Sequence, residues 1–132
     1  MAAVLDTHAA VWYLLRSPNL SPKALQTVEG ALQSGEPIFL SSISLVEVIY
    51  LVEKSRLPMS ALERLKNALQ DPGSGLRIAP LDLAVAALVR KVGRGVVPDM
   101  PDRIIAATAL HLGLPLVTRD QKIRAAGIEI IW

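Results

Sequence analysis

Apolar residues in this chain fall into short continuous runs that alternate with longer segments of helical periodicity. The short runs predict buried strands at residues 2–5, 37–40, 76–81, 114–118 and 128–131. The periodic segments predict helices at 8–15, 21–35, 44–54, 58–69, 82–92 and 101–113, with a helical turn at 121–126. Apolar strands separated by helices are typical of a parallel sheet covered on both faces. We therefore predict an α/β fold, a three-layer α/β/α sandwich with a central, mainly parallel sheet.

Composition narrows the class of protein. The 132 residues are 52% hydrophobic and 20% charged, which predicts one well-packed domain over residues 1–132. The absence of cysteine excludes disulfides, thiolate metal sites and thiol catalysis, and it fits a reducing compartment. A net charge of +2 permits a nucleic-acid partner without predicting one.

Nothing in the sequence predicts a membrane partner. The longest uncharged run, Ile104 to Thr118, is interrupted by Gly113 and Pro115 and is shorter than the roughly 18 apolar residues of a candidate span. The start of the chain shows no signal-peptide pattern. We expect a cytoplasmic protein.

Four acidic residues stand at the ends of apolar elements or inside them. Asp6 and Asp120 each follow a predicted strand, Asp102 lies at the start of a predicted helix, and Glu47 interrupts the apolar stretch ISLVEVIYLV. Functional groups of open α/β sheets gather beyond the carboxyl ends of the strands. Asp6 and Asp120 are therefore expected at the same edge of the sheet.

Each aspartate also has a simpler interpretation. Asp6 can cap the helix that follows it, Asp120 can brace a turn, and Asp102 can be a surface acid that stabilises a helix dipole. For any one of them alone, capping or turn chemistry is the better interpretation.

Glu47 is harder to explain in that way. Its helix is apolar on most sides, which predicts that the helix is largely covered and that Glu47 is at least partly buried. The alternative to a functional role is a pairing with one buried arginine.

Taken together, the four carboxylates predict a metal site. Like charges brought within about 4–6 Å raise one another's pKa, whereas hard divalent cations favour carboxylate and water ligands. A Mg²⁺ or Mn²⁺ ion held there would activate water, and the matching substrate is a phosphate ester.

Several segments resemble one known family. The opening VLDTHAAVWYL, the middle SSISLVEVIYLVEKSRL, the block PDMPDRIIAATALHLGLPLVTRD and the ending GIEII are similar to a PIN domain, and in particular to the VapC-like toxin ribonucleases. The resemblance covers essentially the whole chain in the right order. It implies a metal-dependent endoribonuclease, the toxin of a toxin–antitoxin pair, that leaves a 5′-phosphate.

The resemblance also implies roles for particular residues. The catalytic and metal-binding set carried over is Asp6, Glu47, Asp102 and Asp120, holding one or two Mg²⁺ or Mn²⁺ ions. Asp99 matches a further acid often present in VapC-like chains and is expected in the loop before the helix at 101–113. Thr7 and Thr118 match hydroxyl positions beside the first and last acids, where a hydroxyl orients a carboxylate or a water molecule.

Basic residues near these acids are candidates for RNA binding. Arg103, Arg119 and Lys122 adjoin or follow the acids, and phosphate contacts need such charges. Arg119 can equally neutralise its neighbouring acid. His8 lies beside the predicted site, where a helix-surface role is the alternative to a catalytic one.

Partners are implied by the resemblance. VapC-like toxins usually form homodimers and are inhibited by a small antitoxin that often places a basic side chain in the acidic pocket. A groove between the predicted helices at 21–33 and 44–70 is the expected place for an antitoxin helix.

Other classes of protein fit less well. An aspartyl phosphatase needs a second aspartate two residues after the first, where this chain has His8, and a receiver domain needs an adjacent acid pair at its start. No nucleotide-binding glycine motif is present. The remaining alternative is a catalytically weak PIN domain that binds RNA or a protein partner.

Overall fold

A computed structural model of the chain describes all 132 residues and contains one five-stranded sheet. The strands are β1 (Ala3–Leu5), β2 (Ile38–Ser41), β3 (Leu76–Ala79), β4 (Leu116–Val117) and β5 (Ile130–Ile131). Their order across the sheet is β3-β2-β1-β4-β5, and every pairing is parallel. The predicted α/β class is confirmed, and the sheet is wholly rather than mainly parallel.

Six helices connect the strands. They are α1 (Thr7–Leu14), α2 (Pro22–Gln33), α3 (Ser42–Glu53), α4 (Met59–Gln70), α5 (Leu83–Leu88) and α6 (Met100–Leu112). Short 3₁₀ segments lie at Pro72–Ser74, Val89–Lys91 and Gln121–Ala126. None of these helices combines the length and the apolar character that crossing a membrane requires.

The alternation of side chains along each strand divides the core into two layers. In β1, Ala3 and Leu5 pack against one face of the sheet with α1, α2 and α4, whereas Val4 packs against the other face with α5 and α6. All three residues are completely buried. Successive residues of a strand point to opposite faces, so a short, fully apolar strand serves both layers at once. The arrangement is the predicted α/β/α sandwich.

The chain reverses its direction across the sheet at β1. From β1 it adds β2 and then β3 on one side, and it later returns to place β4 and β5 on the other side. The crevice between the carboxyl ends of β1 and β4 is therefore the topological switch point, the usual binding site of open α/β sheets. Asp6 follows β1 directly, and Thr118 to Asp120 follow β4.

The helix predicted at 82–92 is shorter than expected. α5 ends at Leu88, and Val89–Lys91 continues as a 3₁₀ turn. The Arg103 side chain stabilises this ending, because its Nε donates to the Val92 carbonyl at 2.8 Å and its Nη2 donates to the Val89 carbonyl at 3.0 Å. A charged side chain from α6 thus donates to carbonyl groups at the end of this segment, where no further helical turn follows.

The prediction that α3 is covered on most sides was wrong. Only Ser44 and Val48 of this helix are buried, whereas Val46 is 57% exposed and Tyr50 is 53% exposed. The helix packs against α4 and α6 on one side and leaves Val46, Ile49 and Tyr50 together on the other. An apolar circumference therefore did not imply complete burial.

Candidate active site

Asp6 joins the first strand to the first helix. It is the N-cap of α1, and its Oδ1 accepts a hydrogen bond from the Ala9 amide at 2.8 Å. Its own amide donates to the Val117 carbonyl of β4 at 3.1 Å, which fixes the residue beside the switch point. The capping interpretation is thus correct, and the cap holds the carboxylate at the crevice.

Asp120 occupies the equivalent place after β4. It is the N-cap of the 3₁₀ segment Gln121–Ala126, and its Oδ1 accepts from the Lys122 amide at 3.0 Å. Its amide donates to the buried Thr118 hydroxyl oxygen at 3.1 Å. The Thr118 hydroxyl also lowers the pKa of Asp6, so it acts on both predicted ligands that follow β1 and β4.

Glu47 is partly buried on the side of α3 that faces α1. Thr7 Oγ1 lies 2.6 Å from Glu47 Oε1 and 2.9 Å from the Ser44 hydroxyl oxygen. A hydroxyl has one proton, so Thr7 donates to the carboxylate and accepts from Ser44. The alternative of a buried arginine partner was wrong, because the one ion pair of the structure joins the Met1 ammonium group to Glu36.

Asp102 and Asp99 lie at the start of α6. Asp99 is the N-cap, and its Oδ2 accepts from the Asp102 amide at 3.2 Å. Asp102 stands in the first turn, where a negative charge suits the helix dipole. Asp99 has extended backbone angles, as expected for a residue in the entering loop, and its carboxylate is exposed.

All five acids line one pocket of about 490 Å³. Its other polar walls are Thr7, His8, Thr118 and Arg119. Four parts of the chain therefore converge on the switch point: the junctions that follow β1 and β4, the middle of α3 and the start of α6. The four acids selected from the sequence, and Asp99 with them, are neighbours in space.

Three of the carboxyl groups in the pocket have a raised pKa. Burial raises the pKa of Asp6 and of Glu47, although the Thr118 and Ala9 hydrogen bonds to Asp6 and the Thr7 hydrogen bond to Glu47 act in the opposite direction. Burial also raises the pKa of Asp102 to about 7, with further increases from Asp99, Glu47, Asp6 and Asp120. A carboxyl group with that pKa is about half protonated at neutral pH.

The donor chemistry of the pocket fits a hard divalent cation. Five carboxylates face it, and no basic side chain forms an ion pair with any of them. In their present rotamers no three of these side chains are arranged to hold one ion directly. Asp6, Glu47 and Asp120 each use one carboxylate oxygen on the Ala9 amide, the Thr7 hydroxyl or the Lys122 amide. Direct binding of one ion by three of them would need side-chain movement, whereas water molecules can complete the coordination of an ion held by fewer carboxylates.

The three basic residues predicted to bind RNA lie in different surroundings. Arg103 uses its guanidinium on the carbonyls of Val89 and Val92, which weighs against the predicted RNA contact. Arg119 is exposed on the wall of the pocket, and Lys122 is exposed beside Asp120. Of these three, only Arg119 lines the acidic pocket.

Sequence reasoning missed Trp12 as a residue of the pocket. Trp12 stands one turn after His8 on α1, and both side chains line the acidic pocket. The signal was present, because residues four apart share one face of a helix and this helix begins beside Asp6. The missing step was to extend the site along α1.

A second cavity, of about 570 Å³, lies on the other side of Trp12 between α1 and α2. It is lined by Tyr13, Leu14, Leu20 and Leu25, with polar groups at its rim. The groove predicted between the helices at 21–33 and 44–70 stays a prediction, and this cavity is a second apolar surface that shares α2 with it. α2 packs over β1 and β2, and the open apolar surface lies against α1.

Comparison with protein families gives one match. A family model described as the PIN domain matches residues 3–129. The chain is also 30% identical over 122 residues to Ribonuclease VapC22 of Mycobacterium tuberculosis, an alignment that covers 92% of this chain and 89% of that protein.

Solved structures share the fold. VapBC2 from Rickettsia felis, bound to a DNA fragment from its promoter, superposes with a TM-score of 0.73 at 20% identity and covers 98% of this chain and 97% of that one. A toxin–antitoxin complex from Klebsiella pneumoniae gives a TM-score of 0.66 at 24% identity, with coverage of 98% and 96%. At these identities the likeness shows the fold.

Proposed function

This chain belongs to the PIN-domain family, and from that membership we propose that it is a Mg²⁺- or Mn²⁺-dependent endoribonuclease. One observation carries the proposal: Asp6, Glu47, Asp99, Asp102 and Asp120 line a single pocket at the topological switch point, and no basic side chain is paired with them. A stable fold has no need of five unpaired acids in one place, since burial and the neighbouring negative charges raise the pKa of Glu47 and of Asp102. A function that needs negative charge explains why the fold keeps these acids together although they repel one another.

We assign the metal to Asp6, Glu47, Asp102 and Asp120, with Asp99 as a further ligand. Bound there, one or two divalent ions would activate water and neutralise charge on the scissile phosphate. Thr7 would hold Glu47 in place, and Thr118 would hold Asp6. Asp102 would release its proton when the cation binds, because its pKa of about 7 falls once a positive charge is near.

The test is cleavage of single-stranded RNA by the purified protein. We expect cleavage in Mg²⁺ or Mn²⁺, its loss in EDTA, and its loss in Asp102→Asn, which keeps the shape of the side chain. Circular dichroism should show that this variant stays folded. Cleavage that survives both EDTA and the substitution would contradict the metal site.

A second candidate function is a catalytically weak PIN domain that binds RNA or a protein partner. The observation that favours it is that no three carboxylates are arranged to hold an ion as they stand. Binding of RNA without cleavage at any Mg²⁺ or Mn²⁺ concentration would favour this alternative over the enzyme.

We further propose that the protein is the toxin of a toxin–antitoxin pair, acting in the cytoplasm where its RNA substrate is found. Support comes from the similarity to Ribonuclease VapC22 over most of both chains. The cavity beside Trp12 is an apolar surface that would suit an antitoxin segment, and the acidic pocket next to it would attract a basic side chain. Co-purification with the product of the adjacent gene, and loss of cleavage in that complex, would test this.

The homodimer implied by the family resemblance stays a prediction. Val46, Ile49 and Tyr50 form an exposed apolar stripe on α3 that would suit a contact between copies. Size-exclusion chromatography with light scattering would measure the mass of the protein in solution. A change of Val46 and Tyr50 to lysine should give a monomer if the stripe is the interface.

A further inference from the structure

Arg119 is the one arginine or lysine that lines the acidic pocket, and its positive charge lowers the pKa of Asp6. It is exposed, it precedes Asp120 in sequence, and five carboxylates face the same space. Even so, its guanidinium makes no ion pair. It lies instead over the ring of Trp12, with the guanidinium carbon 5.0 Å from the ring centroid.

Trp12 is itself held from two sides. The His8 ring lies 5.6 Å from it at an interplanar angle of 49°, and the Trp132 ring lies 5.9 Å away at 58°. These tilted contacts orient the indole on α1, the helix that Asp6 caps. The position of the indole, and of the guanidinium on it, is therefore tied to the same helix start as the proposed metal ligand.

A guanidinium that rests on an aromatic face keeps its hydrogen-bonding groups available. The contact with the ring is electrostatic and uses no N–H donor, whereas a carboxylate would occupy two of the five donors in a bidentate pair. The arrangement thus preserves a charged, planar donor group at the rim of a strongly acidic pocket. Such a group matches a phosphate oxygen.

We propose, on the basis of the ribonuclease function proposed above, that Trp12 is a positioning residue for Arg119. Its ring holds the guanidinium at the rim of the pocket, away from the carboxylates, so that the guanidinium binds a phosphate of the RNA strand next to the one that is cleaved. Without the ring, Arg119 turns to the nearby acids and its donors are used within the protein.

The experiment is a double-mutant cycle on RNA binding. Wild type, Trp12→Leu, Arg119→Ala and the double variant are titrated with fluorescein-labelled single-stranded RNA in Ca²⁺, and anisotropy is followed at several salt concentrations. Gels run in parallel check that the RNA stays intact. Lys66→Ala removes an equal charge from the exposed surface of α4, outside the pocket, and is the control.

We expect Trp12→Leu to weaken binding about two- to fivefold, the range for an exposed cation–π contact. Both Trp12→Leu and Arg119→Ala should lower the slope of log affinity against log salt by about 0.7, the value for one lost phosphate contact on a single strand. The double variant should bind no more weakly than Arg119→Ala. Trp12→Phe keeps a ring face and should bind nearly as wild type, and it serves if Trp12→Leu fails to fold.

Two results would overturn the inference. Losses that multiply in the double variant would mean that Trp12 acts independently of Arg119, for example by stacking a base. Affinities in Trp12→Leu and Arg119→Ala equal to that of Lys66→Ala would mean that neither side chain contacts RNA. Binding is measured apart from cleavage, so the two proposals can fail separately. If the effects of the two substitutions on RNA binding are non-additive but the protein cleaves no RNA, the proposed enzyme is contradicted and this inference stands.

Discussion

Two strand-to-helix junctions of this sheet have the same local chemistry and different surroundings. Asp6 follows β1 and caps α1 by accepting the Ala9 amide at 2.8 Å. Asp82, after β3, caps α5 by accepting the Val85 amide at 3.0 Å. In both, an aspartate Oδ1 accepts the amide three residues on, which is ordinary N-cap geometry. Yet only Asp6 lines the acidic pocket.

The order of the strands explains the difference. β1 lies at the centre of the sheet beside β4, where the chain reverses direction, whereas β3 is an edge strand. Burial raises the pKa of Asp6, whereas Asp82 is exposed. A cap and a functional carboxylate are therefore not alternatives. The same local structure becomes a candidate ligand when the topology places it at a switch point.

The largest expected difference is in RNA cleavage, between a variant with asparagine at Asp6 and a variant with asparagine at Asp82. Comparing them separates the capping role from the metal-binding role. Asparagine caps helices about as well as aspartate, so neither Asp6→Asn nor Asp82→Asn should unfold the protein. Asp6→Asn should lower RNA cleavage by about 100-fold or more, since loss of even an outer partner of a metal ligand costs about 10–100-fold. Asp82→Asn should cleave as wild type. Equal activities in the two variants would remove the distinction drawn between the junctions.

The hydroxyl that supports Glu47 should have a smaller effect on activity. Thr7→Val keeps the shape of the side chain but removes the 2.6 Å hydrogen bond to Glu47, and we expect cleavage to fall about tenfold. Thr27→Val is the matched control, because the Thr27 hydroxyl bonds only the Lys23 carbonyl within α2. A Thr7→Val protein as active as the Thr27→Val protein would show that the hydroxyl does not orient Glu47.

The pH dependence of stability should report the burial of Asp102 in the acidic pocket and its closeness to the other acids. Between pH of about 4 and the Asp102 pKa of about 7, the folded protein keeps a proton that the unfolded chain has released. The free energy of unfolding should therefore fall as pH rises through this window, in EDTA, by about 1–2 kcal/mol after allowance for solvent screening. Asp102→Asn should flatten that part of the profile. Urea unfolding of both proteins from pH 4 to pH 8 measures it, and parallel profiles would contradict the assignment.

The smallest expected difference concerns the caps alone. Asp82→Ala removes a cap and should cost about 1 kcal/mol of unfolding free energy. Asp6→Ala removes the same cap together with a partly buried charge that other acids repel, so its cost should be lower. Urea unfolding at pH 8 in EDTA compares the two. A greater cost for Asp6→Ala would mean that capping outweighs charge repulsion at the pocket.

Local signals in the sequence predicted most of the elements and the members of the acidic cluster. Ser21 and Pro22 begin α2, and Gly113 ends α6, as their capping chemistry requires. Asp6 and Asp120 were placed at one edge because parallel strands end together, and the structure brings both into one pocket with Glu47 and Asp102. Their chemical roles stay predictions.

What local patterns did not predict depends on contacts between distant residues. The apolar circumference of α3 gave no sign that Val46 and Tyr50 are exposed, because exposure depends on where α4 and α6 stop covering the helix. Arg103 looked like an RNA ligand beside Asp102, yet its partners are the carbonyls of Val89 and Val92, more than ten residues earlier.

The most direct test of the central claim, that the switch-point carboxylates hold a divalent cation, is calorimetric titration of Mn²⁺ into the protein without RNA. Wild type and Asp82→Asn should bind with equal affinity, and Asp6→Asn and Asp102→Asn should bind at least about tenfold more weakly. Proton release on binding, measured in two buffers at pH 7, should be lost in Asp102→Asn, since that carboxyl group is the one with a pKa of about 7. The same affinity in all four proteins would contradict the claim.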